Sequence, residues 1–268
     1  MATQRKSEEV VLVTGASSGI GEALAKRFAR AGHDLVLVAR SRGKLNKLAA
    51  DLRQQHHVKV DVAVTDLAKP GAATKLAANL KRRRLDVGIL VNNAGINAVG
   101  EFTRITTREN LDIIALNVAA ATEMLSSFLP AMIKRGHGRV LNVASTSSFL
   151  PVPFMATYAA SKAYLLSLTE SLAEEVCGHG VTLTALCPGV TETPMLTSME
   201  KSDPTFTKLV GFTVSDVDDV ANEGYEACMA GEVIRVPGYV NLMTTISSRT
   251  MPRWVVRRIS GILGRSAH

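Results

Sequence analysis

Aromatic residues occupy only 4% of the 268 positions and tryptophan occurs once, so aliphatic side chains and alanine must fill whatever core the chain builds. That composition suits helices packed on a buried parallel sheet of Val, Ile and Leu. Cysteine is scarce as well. Cys177, Cys187 and Cys228 are odd in number and form no C-x-x-C pair, which argues against a disulfide framework and a zinc site and for a reducing, cytoplasmic setting. No continuous apolar run reaches the roughly eighteen residues of a bilayer span. The opening MATQRKSEEVVLVTG lacks the apolar stretch and small-residue cleavage site of a secretory leader. His56-His57, expected to begin a strand, has no Asp, Glu or Cys at ligand spacing, so no metal is expected.

Acid is missing in one place. Residues 233–268 hold six arginines and no Asp or Glu, and they account for most of the formal net charge of +7. Elsewhere the charges nearly balance, and no aromatics are interleaved with basic residues, so no nucleic-acid partner is expected.

What is present is order at two periods. Short β-branched runs at Val10–Thr14, Asp34–Ala39, Val58–Val64, Val87–Val91, Arg139–Ala144, Val181–Cys187 and Val233–Val236 alternate with segments of helical period. This is the pattern of βαβ units. The prediction is an α/β, Rossmann-type doubly wound parallel sheet of seven strands with helices on both faces. Residues 1–268 read as a single domain, with a substrate loop at 188–214 and a C-terminal extension at 238–268. The longest helix should open near Thr106, capped by Glu109 three residues on. Its Leu111, Ile114, Val118, Leu125, Leu129 and Met132 keep helical spacing and should face the sheet.

Between the first strand and first helix lies Gly15-Ala16-Ser17-Ser18-Gly19-Ile20-Gly21. Gly15 permits a tight turn, Gly19 lets backbone N–H groups approach a pyrophosphate, and Gly21 allows close packing, with the helix N-terminus attracting the anion. After the second strand, where an NAD enzyme carries an acid, stand Arg40 and Arg42. Guanidinium groups there suit a 2′-phosphate and favour NADP(H) over NAD(H).

Tyr158 and Lys162 are four apart and share a helix face. An ammonium beside a phenol should lower its pKa and make it a usable acid and base. Ser145, at the end of the fifth strand, can donate to a substrate oxygen. A Tyr-x-x-x-Lys pair by itself is common surface decoration, and its meaning comes from its company.

Thr14–Gly21, Asn92-Asn93-Ala94-Gly95, Asn117, Ser145, Tyr158 with Lys162, and Pro188-Gly189 occur in the order and spacing of the short-chain dehydrogenase/reductase family, which the chain resembles over residues 8–240. The resemblance implies a catalytic tetrad of Asn117, Ser145, Tyr158 and Lys162, with Asn117 holding a relay water. It implies that NADP(H) meets the glycine loop through Gly15, Ser17, Ser18, Gly19, Ile20 and Gly21. Asp66 and Leu67 would meet the adenine, and Asn93, Ala94 and Gly95 would pass near the adenosine ribose. Lys162 would reach the nicotinamide ribose, and Pro188, Gly189, Val190 and Thr193 would surround the carboxamide. A homodimer or homotetramer is also implied, built on the helices of Asn117 and Tyr158 through Ala119, Ala120, Ala160 and Ala163. A narrower likeness, carried by Gly-His-Asp-Leu-Val-Leu-Val-Ala-Arg and Val-Pro-Gly, is to bacterial carbonyl reductases related to 3-ketoacyl and hydroxysteroid reductases. It suggests a fairly large, apolar ketone or alcohol.

Phe149, Pro151, Pro153, Phe154 and Met155 are candidates for the substrate pocket or for loop packing, and Met195, Leu196, Met199, Phe206 and Leu209 for a lid. Three functions are weighed: a ketone/alcohol oxidoreductase, a 3-oxoacyl thioester reductase, and a dinucleotide-binding scaffold without chemistry. In the tail, Val255, Ile259 and Ile262 recur at helical spacing among arginines. The expectation there is an amphipathic helix covering the cleft or a partner subunit, with contact to a membrane surface as the less favoured alternative.

Overall fold

Alternation along the strands decides which helices cover which face. In β1 (Val10–Thr14), Val11 and Val13 enter the core on one side of the sheet and Val10 and Leu12 the core on the other. In β2 (Leu35–Ala39), Leu35 and Leu37 part from Val36 and Val38 in the same way. Every one of these side chains is buried, because a parallel sheet is covered on both faces. The computed structural model describes residues 10–202 and 214–266. With β3 (Val60–Val64), β4 (Val87–Asn92), β5 (Gly138–Val143), β6 (Val181–Leu186) and β7 (Ile234–Arg235), the strands form one seven-stranded sheet in the order β3-β2-β1-β4-β5-β6-β7. All pairings are parallel. The predicted Rossmann-type architecture is the one observed.

Helices α1 (Gly19–Arg30) and α2 (Arg42–His56) pack on one face. The other face is covered by α3 (Ala72–Arg82), the second half of α4 (Thr107–Arg135) and the end of α5 (Ala156–Glu175). Beyond β6 come α6 (Pro194–Ser202), α7 (Val217–Ala230), α8 (Tyr239–Thr250) and α9 (Arg253–Ser266). The chain winds from β1 to β3 in one direction and from β4 to β7 in the other. A crevice therefore opens at the carboxyl ends of β1 and β4, where such folds bind ligands.

Two local expectations fail. His56 closes α2 and His57 is its left-handed cap, with φ of 56°, so the pair ends a helix instead of starting a strand. In α4 the Thr106 capping box is present, and Leu125, Leu129 and Met132 are buried as expected. Leu111 and Ile114, however, are 55% and 44% exposed. A π-helical stretch at Ile114–Ala120 interrupts the 3.6-residue period, so the apolar positions before it point away from the sheet. The full 29 residues of α4 are long and apolar enough to cross a bilayer, but its second half is a core element packed beneath β4 and β5.

Candidate active site

The crevice is organised by Thr14 and Asn93. Thr14, the last residue of β1, accepts at Oγ1 from the N–H groups of Asn93 and Ala94 at 2.9 and 3.0 Å and donates to the Val91 carbonyl at 3.2 Å. The Asn93 amide returns a hydrogen bond to the Thr14 carbonyl at 2.9 Å. These bonds lock the ends of β1 and β4 together beneath the glycine loop. Gly15 has φ of +67° and lies where a Cβ would come within 2.7 Å of Asn93 Nδ2; a Cβ on Gly21 would come within 2.3 Å of the same atom and 2.4 Å of the Gly15 carbonyl oxygen. Close packing therefore requires Gly21, the role read for it from the sequence, and it restricts Gly15, as the positive φ of its turn also does. Ser18 caps α1 in an extended conformation without a side-chain hydrogen bond to the first turn, so those N–H groups remain for an anion. The residues present therefore fit a dinucleotide pyrophosphate.

The far end of that cradle lies beside β2, because Ala16 N–H bonds the Val38 carbonyl at 3.2 Å. Two residues on, Arg40 is exposed, as is Arg42 at the start of α2, and neither forms an ion pair among the described residues. Asp66 accepts from Ala68 N–H at 3.3 Å. Leu67 follows it. Its side chain is 6% exposed within the core beside Val36, Val38 and Leu76, so only its backbone can be offered to a base.

Lys162 is 5% exposed, and its Nζ donates to the Val143 carbonyl at 2.7 Å, at the end of β5. Tyr158 lies one turn earlier on α5, with Lys162 Nζ 5.7 Å from its ring centre. Ser145 adopts an extended backbone and caps the short turn Thr146–Ser148, accepting from Ser147 N–H at 3.1 Å. Thr146 N–H bonds the Pro188 carbonyl at 2.9 Å, which joins this turn to the loop after β6. Burial pushes the Tyr158 hydroxyl up to about 12, against the opposing pull of its hydrogen bond with Ser145. The same burial lowers Lys162 to about 8, with Cys187 acting in the other direction. Lys162 Nζ is engaged by the Val143 carbonyl, and burial shifts Tyr158 in the direction opposite to the acidification expected of an adjacent ammonium.

Asn117 is 2% exposed, inside the π-helical stretch. Its Oδ1 accepts from Ile96 N–H at 3.0 Å, and its Nδ2 donates to the Ile96 carbonyl at 2.9 Å and to Ser161 Oγ at 3.0 Å. One amide hydrogen is used on the loop after β4 and the other on α5, so a relay water would have to be held by an acceptor of Asn117. Gly95 fits between these groups, where a Cβ would stand 3.2 Å from Asn117 Oδ1 and 3.5 Å from Lys162 Nζ.

Ile20, Asn93, Gly95, Ser145, Tyr158, Lys162, Pro188, Gly189, Val190 and Thr193 line one cavity of about 240 Å³. Arg40, Arg42, Asp66 and Leu67 lie outside it, toward β2 and β3. Its apolar wall is Leu150, Val152, Met155, Met195 and Leu196. Of the pocket candidates, Met155, Met195 and Leu196 are placed there, while Phe149 packs into a small core with Leu166 and Cys187, and Phe154 lines a separate cavity. The side chain of Met199, Phe206 and Leu209 fall outside the described residues. Sequence reasoning missed Asn97 and Ser147, whose Nδ2 and Oγ are buried without a hydrogen-bond partner and whose residues line the cavity. No periodic pattern marks them. It also missed Asn241 of α8, whose side chain stands where a Cβ on Gly189 would come within 2.6 Å. Among the described residues of the tail none lines the cavity, and Asn241 meets it only through Gly189.

A glycine-lined cradle at the switch point, beside half-buried Tyr158, buried Lys162 and a serine, defines an oxidoreductase that uses a nicotinamide dinucleotide. The chain belongs to the short chain dehydrogenase family, whose profile matches residues 9–204. It is 31% identical over 249 residues to hydroxysteroid dehydrogenase-like protein 1 of Gallus gallus, covering 91% of this chain and 72% of that one. It is also 31% identical over 259 residues to the very-long-chain 3-oxoacyl-CoA reductase of Mus musculus, covering 94% and 78%. Among solved structures, a short-chain dehydrogenase from Sphingobium yanoikuyae in complex with NADPH superposes with a TM-score of 0.79 at 32% identity, over 90% of this chain and 93% of that one. A family member from Burkholderia phymatum in complex with NAD gives 0.79 at 26%, over 88% and 91%.

Proposed function

We propose that this chain interconverts a ketone and a secondary alcohol with NADP(H), and that Tyr158 carries the proton. The observation behind this reading is the Tyr158 hydroxyl, hydrogen bonded to Ser145 and placed with Lys162 at an apolar cavity. When bound, the nicotinamide supplies or accepts the hydride. Tyr158 then donates to the nascent alkoxide in reduction, Ser145 orients the oxygen, and Lys162 holds the cofactor ribose and supports proton return. Asn117 fixes the loop after β4 against α5 and so sets where Lys162 stands. Preference for NADP(H) is supported by exposed Arg40 and Arg42 where an acid would favour NAD(H), and by the NADPH complex of the Sphingobium relative.

The test is cofactor oxidation with a panel of aryl, alkyl and steroidal ketones. Turnover of none, with NADPH still bound, would leave the scaffold reading. A second substrate class, 3-oxoacyl thioesters, is favoured by the mouse relative's name, and the panel should include a coenzyme A thioester.

The proposal extends to a cytoplasmic homo-oligomer paired through α4 and α5. Support comes from Leu111, Ile114 and Tyr164, which lie exposed along one shallow groove with Ala160. Of the alanines expected there, Ala119 and Ala160 are exposed and Ala163 is half-buried, but Ala120 is buried in the core.

A further inference from the structure

The C-terminal helices are built inside out. In α8, Asn241 is half-buried and Thr245 is 3% exposed; Asn241 donates to the Pro237 carbonyl at 2.8 Å and abuts Gly189. These polar residues, with half-buried Ser248, form the stripe that turns toward the body of the protein. The apolar side chains of the same helix point outward, with Tyr239 at 75%, Val240 at 61% and Ile246 at 47% exposure, and Leu242 and Met243 both at 38%. A helix that packs on a core does the reverse.

Helix α9 continues the surface. Val256 is buried at 8%, while Trp254, Ile259 and Ile262 are 66%, 46% and 52% exposed, and Met251 between the two helices is 45% exposed. Nine of the sixteen exposed large apolar side chains of the described residues therefore lie between 239 and 262. Such concentration marks an interaction site, since scattered single exposures are the ordinary case.

Charge selects the occupant. Arg253, Arg257 and Arg258 are exposed on α9, and residues 233–268 contain no acid to neutralise them. A second copy meeting this face through a two-fold axis would set arginine clusters toward each other, because an isologous contact uses the same patch twice. A surface of anionic phospholipid has complementary charge and accepts apolar side chains between its headgroups. Trp254 is suited to that boundary, with an apolar ring and an N–H for the wet side.

We propose that α8 and α9 dock the protein on anionic lipid bilayers, lying in the interface with Trp254, Ile259 and Ile262 inserted and Arg257 and Arg258 against phosphate groups. The proposal is independent of the reaction assigned above. Because Asn241 touches Gly189, the docked surface stands next to the loop that lines the active-site cavity.

Trp254 is the only tryptophan, so intrinsic fluorescence reads the site directly. The full-length protein should show solvent-exposed emission in buffer. With phosphatidylcholine vesicles containing phosphatidylglycerol, that emission should shift to the blue and the protein should co-sediment, both effects weakening with salt. The double variant Arg257→Glu/Arg258→Glu should lose at least about 20-fold in vesicle partitioning while keeping its ketone reductase rate. Unshifted emission with all protein left in the supernatant would overturn the proposal. So would blue-shifted emission without vesicles that rises with protein concentration, since that places Trp254 in an interface between copies.

Discussion

The Asn93 amide nitrogen lies 2.9 Å from the Thr14 carbonyl oxygen and would be 2.3 Å from a Cβ added to Gly21. One side chain thereby ties β1 to β4 and sets how closely α1 approaches them. Gly21→Ala must displace either Asn93 or the Gly15 carbonyl, which also lies within 2.4 Å of that Cβ. The variant should lose about 1–3 kcal/mol of stability by overpacking, with weaker NADPH binding. A denaturant midpoint equal to wild type would show that the loop moves freely and that this lock does not hold it.

Tyr158→Phe removes the proton donor and almost no volume. Turnover should fall by about 10²–10⁴-fold, while NADPH affinity, measured by fluorescence titration, stays near wild type. Full activity in this variant would exclude Tyr158 as the acid.

Arg40→Asp should weaken NADPH binding by about ten- to a hundredfold, since a charge-assisted phosphate contact contributes roughly 1.5–3 kcal/mol. NADH binding should be equal or better. Should the variant keep its preference for NADPH, Arg42 is the residue that reads the phosphate.

Lys162 gives the protein a pH signature. Burial lowers its pKa from 10.5 to about 8, so across that window the unfolded chain holds a proton that the folded chain has released. Stability contributed by this site therefore rises with pH between those values, and the buried ammonium costs stability below them. Melting curves of the ligand-free protein should show this rise relative to Lys162→Met. In the same free enzyme, kcat/KM for NADPH should decline as pH passes about 8 and Lys162 loses its charge, while Tyr158, pushed up to about 12, stays protonated. A flat profile from neutral pH upward would show that the charge on Lys162 is not what engages the cofactor.

If α4 and α5 form the pairing surface, Ile114→Arg, at a position 44% exposed in the single chain, should convert the oligomer to smaller species in light scattering without unfolding it. A wild-type protein that is monomeric at micromolar concentration would refute the assembly itself.

Local spacing determined a great deal. A spacing of four from Tyr158 to Lys162 places them on one face of any α-helix, two-residue alternation in β1 and β2 assigns side chains to opposite faces, and glycines at 15, 19 and 21 announce a backbone that must come close to something. These are short-range geometries, and they hold whatever surrounds them. Only the tertiary structure decided the rest, because burial is a property of what packs from elsewhere in the chain. Desolvation set the direction of the Tyr158 shift against its hydrogen bond with Ser145. A π-helical stretch rotated Leu111 and Ile114 out of the face their spacing promised. Contacts between segments far apart in sequence brought Asn241 to Gly189 and left Asn97 Nδ2 and Ser147 Oγ without partners in the cavity wall. In the tail, the composition announced an amphipathic basic helix, but which of its sides meets the protein depended on contacts with distant segments, such as that of Asn241 with Gly189.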